Sequence, residues 1–219
     1  MSTSGSPGPR IAPRQRNPRG QGGHLRQELI NAARGLLSSA EAESDLTIRA
    51  VTRGAGVHPQ AFYLHFDNLD ELLYAVYAAE FAELTRALQH AAAQAAPGEP
   101  ALRAMCQEYG RFALAQPARY RLLMTVRSQQ HTDWDPDQLP GSPALQLLRQ
   151  ALAVASDHTR RRTAGQHKAP ARTPDQAVIL LWATLHGLVT LRVTRPSFPW
   201  PPLGELIDQA ISAILASLT

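Results

Sequence analysis

The sequence of 219 residues predicts an all-α protein. Apolar residues recur at spacings of three and four along most of the chain, whereas no alternation with a period of two persists. Proline and glycine divide the chain into segments of helical length and do not recur at the spacing of β-hairpins. With 44% hydrophobic residues, the chain can build a real core. We therefore expect an N-terminal unit of three helices followed by a longer helical domain.

Residues 46–66, LTIRAVTRGAGVHPQAFYLHF, predict two short helices joined by a turn. Gly56 lies at the turn, where glycine accepts a positive φ without steric cost. Pro59 suits the start of the second helix, because its fixed φ and missing N–H are tolerated there. Apolar residues at helical spacing are Ile48, Val51 and Ala55 in the first helix, and Phe62 and Phe66 in the second. The pattern predicts a helix-turn-helix.

This predicted helix-turn-helix contains no Asp or Glu, although acidic residues are frequent on both sides of it. Two short helices with a neutral to basic outer surface have the charge that a reader of the DNA major groove needs. Polar positions of the second helix are His58, Gln60, Tyr63 and His65. The segment therefore indicates an N-terminal DNA-binding domain.

The same region resembles the DNA-binding domain of the tetracycline-repressor-like (TetR) regulators. The resemblance is carried by Ala32, Ala33, Thr47, Ala55-Gly56-Val57, Tyr63, His65-Phe66 and Leu72-Leu73. It covers about the first third of the folded chain, roughly a domain's worth of helices. Two positions depart from the family pattern: His58 replaces the usual Ser or Thr, and Leu69 replaces the usual Lys. The missing Lys removes one expected phosphate contact.

The resemblance and the side-chain chemistry together predict six DNA-contacting residues, namely Thr47, Arg49, His58, Gln60, Tyr63 and His65. The guanidinium of Arg49 could fork onto a guanine edge or a phosphate. The amide of Gln60, near the start of the second helix, could pair with adenine. Thr47 could cap the first helix, bind a phosphate, or do both. For Tyr63 and His65 the alternative role is aromatic packing between helices.

Composition divides the chain into a basic N-terminal arm at 1–23, a helix-turn-helix DNA-binding domain at 24–69, and a ligand-binding and dimerisation domain at 70–219. The arm contains four arginines and no acids, which equals the formal charge of +4 for the whole chain. Its lack of an apolar run predicts disorder. The arm either adds phosphate or minor-groove contacts or is a solvated extension, and the sequence leaves both open.

Around the helix-turn-helix, periodicity and breaker residues predict helices at 25–37, 70–95, 100–115, 117–128, 143–159, 174–194 and 203–218. Loops are expected at 129–142 and 160–173. Thr173 is the expected N-cap of the helix at 174–194, and Pro174 its first residue.

The helix at 174–194 is apolar on almost all sides and must be covered on all of them. Its charge-free run is shorter than the ~20 residues that span a bilayer, so we expect a buried helix and no membrane contact. Pairing with the helix at 203–218 in two subunits would form a four-helix bundle. The TetR resemblance implies the same homodimer, which would read a palindromic operator on double-stranded DNA. In a C-terminal variant that this region also resembles, Trp182, His186 and Gly187 stand near the subunit interface.

Aromatic and methionine side chains of the C-terminal domain predict a pocket for a small hydrophobic or aromatic effector. The candidate residues are Met105, Tyr109, Phe112, Tyr120, Met124, Trp134, Trp182 and His186. Ordinary core packing is the alternative for each. The expected mechanism is a population shift in which the long helix at 70–95 swings, with Pro97 and Gly98 as hinge. The protein would then be a ligand-responsive repressor that the effector releases from DNA.

We expect no metal, no cofactor and no enzymatic activity, because no catalytic constellation or ligand spacing is present. His58 and His65 lie about 10 Å apart along a helix, too far to share one zinc ion. The single Cys106 indicates the reducing cytoplasm and is expected in the core, with a redox sensor as the alternative. The rival function is a dimeric helical interaction module that has lost specific DNA binding.

Overall fold

The computed structural model describes residues 22–39, 46–124, 141–162 and 173–218, and every regular element in these ranges is helical. The elements in chain order are α1 (Gly22–Ser39), α2 (Ile48–Gly54), a 3₁₀ helix (Pro59–Leu64), α3 (Leu69–Ala93), α4 (Glu99–Ala115), α5 (Pro117–Met124), α6 (Ser142–Arg162), α7 (Pro174–Thr194) and α8 (Leu203–Ala216). The predicted all-α class is confirmed. The N-terminal arm, apart from its last two residues, and Trp134 lie outside the described residues.

Local signals place several helix starts where the sequence predicts them. The hydroxyl of Thr47 accepts a hydrogen bond from the backbone N–H of Ala50 and caps α2. Thr173 and Gln176 form a reciprocal capping box at the start of α7, and Pro174 occupies its first turn. Gly56 has a φ of +68° and Gly98 a φ of +94°, the conformations that favour glycine. These helices therefore begin or end for local chemical reasons.

The second helix of the helix-turn-helix is a 3₁₀ helix rather than an α-helix. The backbone N–H of Ala61 donates to the carbonyl of His58 at 2.9 Å, and that of His65 to Phe62 at 3.0 Å. The segment is only six residues long, and its initial proline donates no hydrogen bond. A tighter helix with bonds three residues apart is common in such short pieces. The predicted position is confirmed, and the helix type is the new finding.

Two hydrophobic cores share the long helix α3. Its first half contributes Leu72, Val76 and Tyr77 to an N-terminal core, whose α1, α2 and 3₁₀ residues include Leu29, Ala33, Val51, Phe62 and Phe66. Its second half contributes Leu84 and Leu88 to a larger core built with α4 to α8. The helix therefore passes from one core into the other without a break. The division of the chain at 69/70 stays a prediction.

One side of α7 is buried in the larger core, where Val178, Leu181, Leu185 and Val189 pack. The opposite side exposes apolar side chains, among them Ile179, Leu180, Trp182 and Leu191. By length and composition alone α7 could cross a membrane, with a mean hydropathy of 1.6 over its most apolar window. Because its buried side belongs to the core of the domain, the exposed side is the part that needs a cover.

Candidate DNA-binding surface and effector site

The 3₁₀ helix is anchored to the N-terminal core by two buried phenylalanines. Phe62 and Phe66 are 0% and 1% exposed, and their ring centroids lie 5.6 Å apart. The guanidinium of Arg26 in α1 lies 4.9 Å from the ring of Phe66, within reach of a cation–π contact. Before the helix, the backbone N–H of Val57 donates to the carbonyl of Thr52 at 2.9 Å and closes the turn. The orientation of the outer surface is therefore set by packing on its inner side.

The outer surface of α2 and the 3₁₀ helix collects most of the predicted DNA-contacting residues. Arg49, His58 and Gln60 are exposed, Tyr63 is 59% exposed, and His65 is half-buried. His58 occupies the N-cap position of the 3₁₀ helix without making a side-chain cap hydrogen bond. Thr47 is exposed beside them at the start of α2. We call this set, together with Leu64, the polar outer surface.

Leu64 is a residue that the sequence analysis missed. Its side chain is 77% exposed, the most exposed large hydrophobic residue among those described. Leu64 lies two residues from both Phe62 and Phe66, so its side chain points away from their buried side. An exposed apolar group at this place can contact the methyl group of thymine.

Glu71, one of the acidic residues that follow this surface, takes part in capping α3. The carboxylate of Glu71 accepts a hydrogen bond from the backbone N–H of Asp67 at 2.8 Å. In return, the side-chain oxygen of Asn68 accepts from the N–H of Glu71 at 2.9 Å. Leu69, where the family pattern has Lys, packs partly buried against the N-terminal core. This end of α3 therefore offers no lysine, and the cations of the surface are those of α2.

In the C-terminal domain, four side chains form a hydrogen-bonded chain that crosses three helices. The hydroxyls of Tyr109 in α4 and Tyr120 in α5 lie 2.9 Å apart. The hydroxyl of Tyr120 also lies 2.7 Å from Nδ1 of His186 in α7. At the other side of the imidazole, Nε2 lies 3.4 Å from the hydroxyl of Thr190. We call these four residues the tyrosine–histidine chain.

Burial shapes the protonation of this chain. Burial raises the pKa of Tyr109, and the neighbouring Tyr120 raises it further. Burial also raises the pKa of Tyr120, and burial lowers the pKa of His186 below its ordinary 6.5. All three groups are therefore neutral near pH 7, so the chain offers neutral donors and acceptors rather than charge. Such groups suit a neutral polar atom, for example a hydroxyl or a carbonyl.

The structure brings together most, but not all, of the predicted pocket residues. Met105, Tyr109, Phe112 and Tyr120 are buried in one cluster, and Met124 packs against it half-buried. His186 joins the cluster through its hydrogen bond to Tyr120. Trp182, however, is 43% exposed on the outer side of α7, so it does not line the cluster. Consecutive residues lie about 100° apart around an α-helix, so Trp182 falls at the edge of the exposed side although its neighbour Leu181 is buried.

Two further groups of the C-terminal domain bear on the predictions. Cys106 is buried in the same core, and burial raises the pKa of its thiol to about 12, which favours the core role over a reactive thiolate.

A surface cleft of about 630 Å³ lies at the end of α7 and is lined by residues such as Leu191, Arg195, Phe198 and Trp200. The sequence did not predict this cleft. Within the described ranges, no cluster of three or more potential metal ligands occurs.

The family is shown by a match to the model of the tetracyclin repressor-like C-terminal domain, which covers residues 102–215. That span is more than half of the chain and contains the whole tyrosine–histidine chain. The protein therefore belongs to the tetracycline-repressor-like family of transcriptional regulators.

Solved structures share this fold at low sequence identity. A protein of unknown function from Rhodococcus sp. RHA1 has a TM-score of 0.69 and 22% identity, with 89% of this chain and 95% of that chain covered. A TetR family transcription regulator from Marinobacter aquaeolei VT8 has a TM-score of 0.64 and 16% identity, covering 91% and 98%. The regulator FadR from Bacillus subtilis, solved with stearoyl-CoA, has a TM-score of 0.64 and 12% identity, covering 88% and 99%.

Proposed function

We propose that this protein is a ligand-responsive DNA-binding transcriptional regulator, a repressor that a small hydrophobic or aromatic effector releases from a palindromic operator. The observation that carries the proposal is the polar outer surface. It is largely exposed, it contains no acidic residue, and it lies over the buried rings of Phe62 and Phe66. Rigid support beneath an acid-free surface is what reading a DNA groove requires. Family membership supports the same role.

On this surface each residue has a chemical role toward DNA. Arg49 would hydrogen-bond a guanine edge or a phosphate, and Gln60 would pair with a base. Thr47 would bind a phosphate at the start of α2, where unpaired backbone N–H groups favour anions. Tyr63, His65 and His58 would contact the sugar–phosphate backbone and fix the register of the protein.

We propose a homodimer formed through α7 and α8. The exposed apolar side of α7 supports this interface, because an isolated soluble subunit would leave Ile179, Leu180 and Trp182 in water. A two-fold dimer would carry two copies of the polar outer surface. Two such surfaces fit half-sites that are separated by a turn of DNA or a multiple of one. The two-fold symmetry of this dimer is the reason that we propose a palindromic operator.

The effector site is proposed at the tyrosine–histidine chain and its apolar surroundings. An apolar or aromatic body would pack among Met105, Phe112 and Met124, while its polar atom replaces a partner of Tyr120 or His186. FadR of Bacillus subtilis, a structural neighbour, was solved with stearoyl-CoA. Effector binding would favour a second conformation in which α3 swings about Gly98, whose φ of +94° marks the bend after this helix. We place this regulator in the cytoplasm and assign it no enzymatic activity.

The test is selection of binding sites from random duplexes, followed by fluorescence anisotropy with the selected site. Wild-type protein should enrich a palindrome and bind it with a steep dependence on salt. Arg49→Ala combined with Tyr63→Ala should abolish specific binding. Arg111→Ala removes an equal charge from α4, where Arg111 forms an exposed pair with Glu108, and should leave binding unchanged.

The alternative is a dimeric helical interaction module without specific DNA binding. The replacement of the usual Lys by Leu69 favours it, because one phosphate contact is missing. The two functions differ in the selection experiment. A dimer in solution that enriches no duplex at modest salt would establish the interaction module and refute the regulator.

A further inference from the structure

A buried ion cluster joins three helices at the boundary between the two cores. Nε of Arg34 in α1 lies 2.5 Å from one carboxylate oxygen of Glu80 in α3. Nε of Arg119 in α5 lies 2.6 Å from the other oxygen of the same carboxylate. Both arginines also pair with Glu83, one turn further along α3. We call these four residues the junction cluster.

The junction cluster is balanced in charge and largely removed from water. The side chain of Glu80 is 0% exposed, and those of Arg34 and Arg119 are 23% and 20% exposed. Burial by itself would raise the pKa of the Glu83 carboxyl. The hydrogen bond and charge of Arg119 and the charge of Arg34 have a larger combined effect, so the pKa of Glu83 lies below its ordinary value. A buried carboxylate such as Glu80 is tolerated only while cations compensate it. A movement of α3 away from either arginine would therefore leave the buried charge of Glu80 without one of its cations, which is energetically costly.

The two arginines belong to different parts of the protein. Arg34 lies on α1, between Ala33 and Leu37 of the N-terminal core. Arg119 lies on α5, and its guanidinium also stacks on Phe112, 5.5 Å from the ring centroid. The next residue of α5 is Tyr120, the central member of the tyrosine–histidine chain. One short helix thus holds both the effector-site hydroxyl and an arginine of the junction cluster.

We propose that the junction cluster transmits the state of the tyrosine–histidine chain to the DNA-binding domain, with Arg119 as the transmitting residue and Arg34 as the receiving one. The proposal rests on the function proposed above and names the route of its regulation. A movement of α5 that separates Tyr120 from Tyr109 or His186 also moves Arg119. Since Glu80 and Glu83 are shared by both arginines, that movement changes how firmly α1 is held. Arg34 and Arg119 are positioning residues and touch neither the effector nor DNA.

The test uses the full-length protein without any effector, because Tyr120→Phe perturbs the tyrosine–histidine chain directly. This substitution removes the hydroxyl that joins Tyr109 to His186 and keeps the ring. Hydrogen–deuterium exchange is measured over 25–37 of α1 and over 181–190 of α7. In the wild-type background Tyr120→Phe should change exchange in both segments, in α1 by about threefold or more, the size expected for coupled members of one network.

In the Arg119→Met background, the same Tyr120→Phe substitution should still change exchange in α7 but no longer in α1. The matched control is Arg111→Met, which breaks an arginine–glutamate pair within α4 and should preserve the response of α1. If Arg119→Met does not fold, Arg119→Lys replaces it. The introduced lysine keeps the charge but reaches the carboxylates through one ammonium group, so the response of α1 should be reduced.

Two results would overturn the transmission route. One is unchanged hydrogen–deuterium exchange in α1 when Tyr120→Phe is made in the wild type. The other is an equal change of exchange in α1 with and without Arg119. Binding of the selected duplex by the same preparations separates this failure from that of the proposed function. A wild type that binds no duplex but shows the coupling refutes the regulator only, whereas specific binding without coupling refutes the route only.

Discussion

The two candidate sites place their polar side chains differently relative to the hydrophobic cores. In the N-terminal core, the polar residues that define the candidate site point into solvent, and the aromatic rings of Phe62 and Phe66 lie beneath them. In the C-terminal core, the polar residues of the candidate site are inside, where Tyr109 and Tyr120 are 6% and 3% exposed. In the proposed function, the outer site meets its ligand without rearrangement. The inner site must exchange an existing hydrogen bond for one to the ligand.

This contrast fits two different kinds of partner. DNA is a large, stiff polyanion, and a surface that meets it gains from rigid placement and from the absence of acids. A small effector that enters a packed core necessarily changes the packing of that core. In the proposed function, effector binding takes place in the region where it costs internal contacts, and DNA binding takes place in the region where it does not. Substitutions in the two regions can test this contrast, beginning with the largest expected effect.

Phe62 and Tyr63 are neighbours in the 3₁₀ helix. Replacing each of them in turn distinguishes a residue that supports the polar outer surface from a residue that contacts DNA. Phe62→Ala should destabilise the N-terminal core by about 3–5 kcal/mol, because it empties a fully buried site. Tyr63→Ala should change stability little and weaken duplex binding. Thermal unfolding and anisotropy measure the two effects. Equal destabilisation by both substitutions would show that Tyr63 packs rather than contacts DNA.

Leu64→Glu tests the acid-free character of the polar outer surface. A carboxylate placed against DNA phosphates should weaken binding roughly 100-fold, since juxtaposed like charges cost several kcal/mol. Stability should be unchanged, because Leu64 is 77% exposed. Leu114→Glu, at an exposed leucine near the end of α4, is the matched control. Equal DNA affinity for the two variants would place Leu64 outside the interface.

Thr47→Ala removes the cap of α2, a helix of seven residues. Loss of the hydrogen bond to the N–H of Ala50 should cost about 1 kcal/mol of stability. If Thr47 also binds a phosphate, duplex affinity should fall while its salt dependence stays the same, because a neutral hydroxyl releases no counterions. Thr47→Ser keeps the hydroxyl and should restore both properties. A Ser variant that behaves like the Ala variant would contradict the capping role.

The smallest effect concerns pH and the inner site. Burial lowers the pKa of His186 below 6.5, so the unfolded chain takes up this proton at a higher pH than the folded protein does. The stability that the neutral ring provides is complete above pH 6.5 and decreases as pH falls toward the lowered value. His186→Gln should flatten this part of the melting-temperature profile. His90→Gln, at an exposed position of α3, is the matched control.

The features that the sequence predicts correctly are those with a local cause. Thr47, Gly56 and the Thr173 cap act within a few residues, so their positions in the sequence already specify turns and helix starts. The helix type between Pro59 and Leu64 was not predictable in the same way. A proline start and a length of six residues are compatible with either an α-helical or a 3₁₀ turn.

The features that the sequence could not predict are those made by distant residues. Glu80 lies on α3 in a stretch that reads as ordinary amphipathic helix, and only the packing of α1 and α5 shows why it is charged and buried. Composition predicted that Tyr109, Tyr120 and His186 share a pocket, but not that hydrogen bonds connect each of them to the next. Trp182, which composition grouped with them, is exposed on α7, since helical phase alone does not say which side of an all-apolar helix is covered.

The uncovered side of α7 also has a consequence for gene dosage. If only a second copy of the chain hides Leu180 and Trp182, the species competent to occupy an operator forms in proportion to the square of the subunit concentration when subunits are scarce. Halving expression would then lower promoter occupancy about fourfold in that regime. A cell could thus switch its target genes on by modest dilution during growth, even when no effector is present.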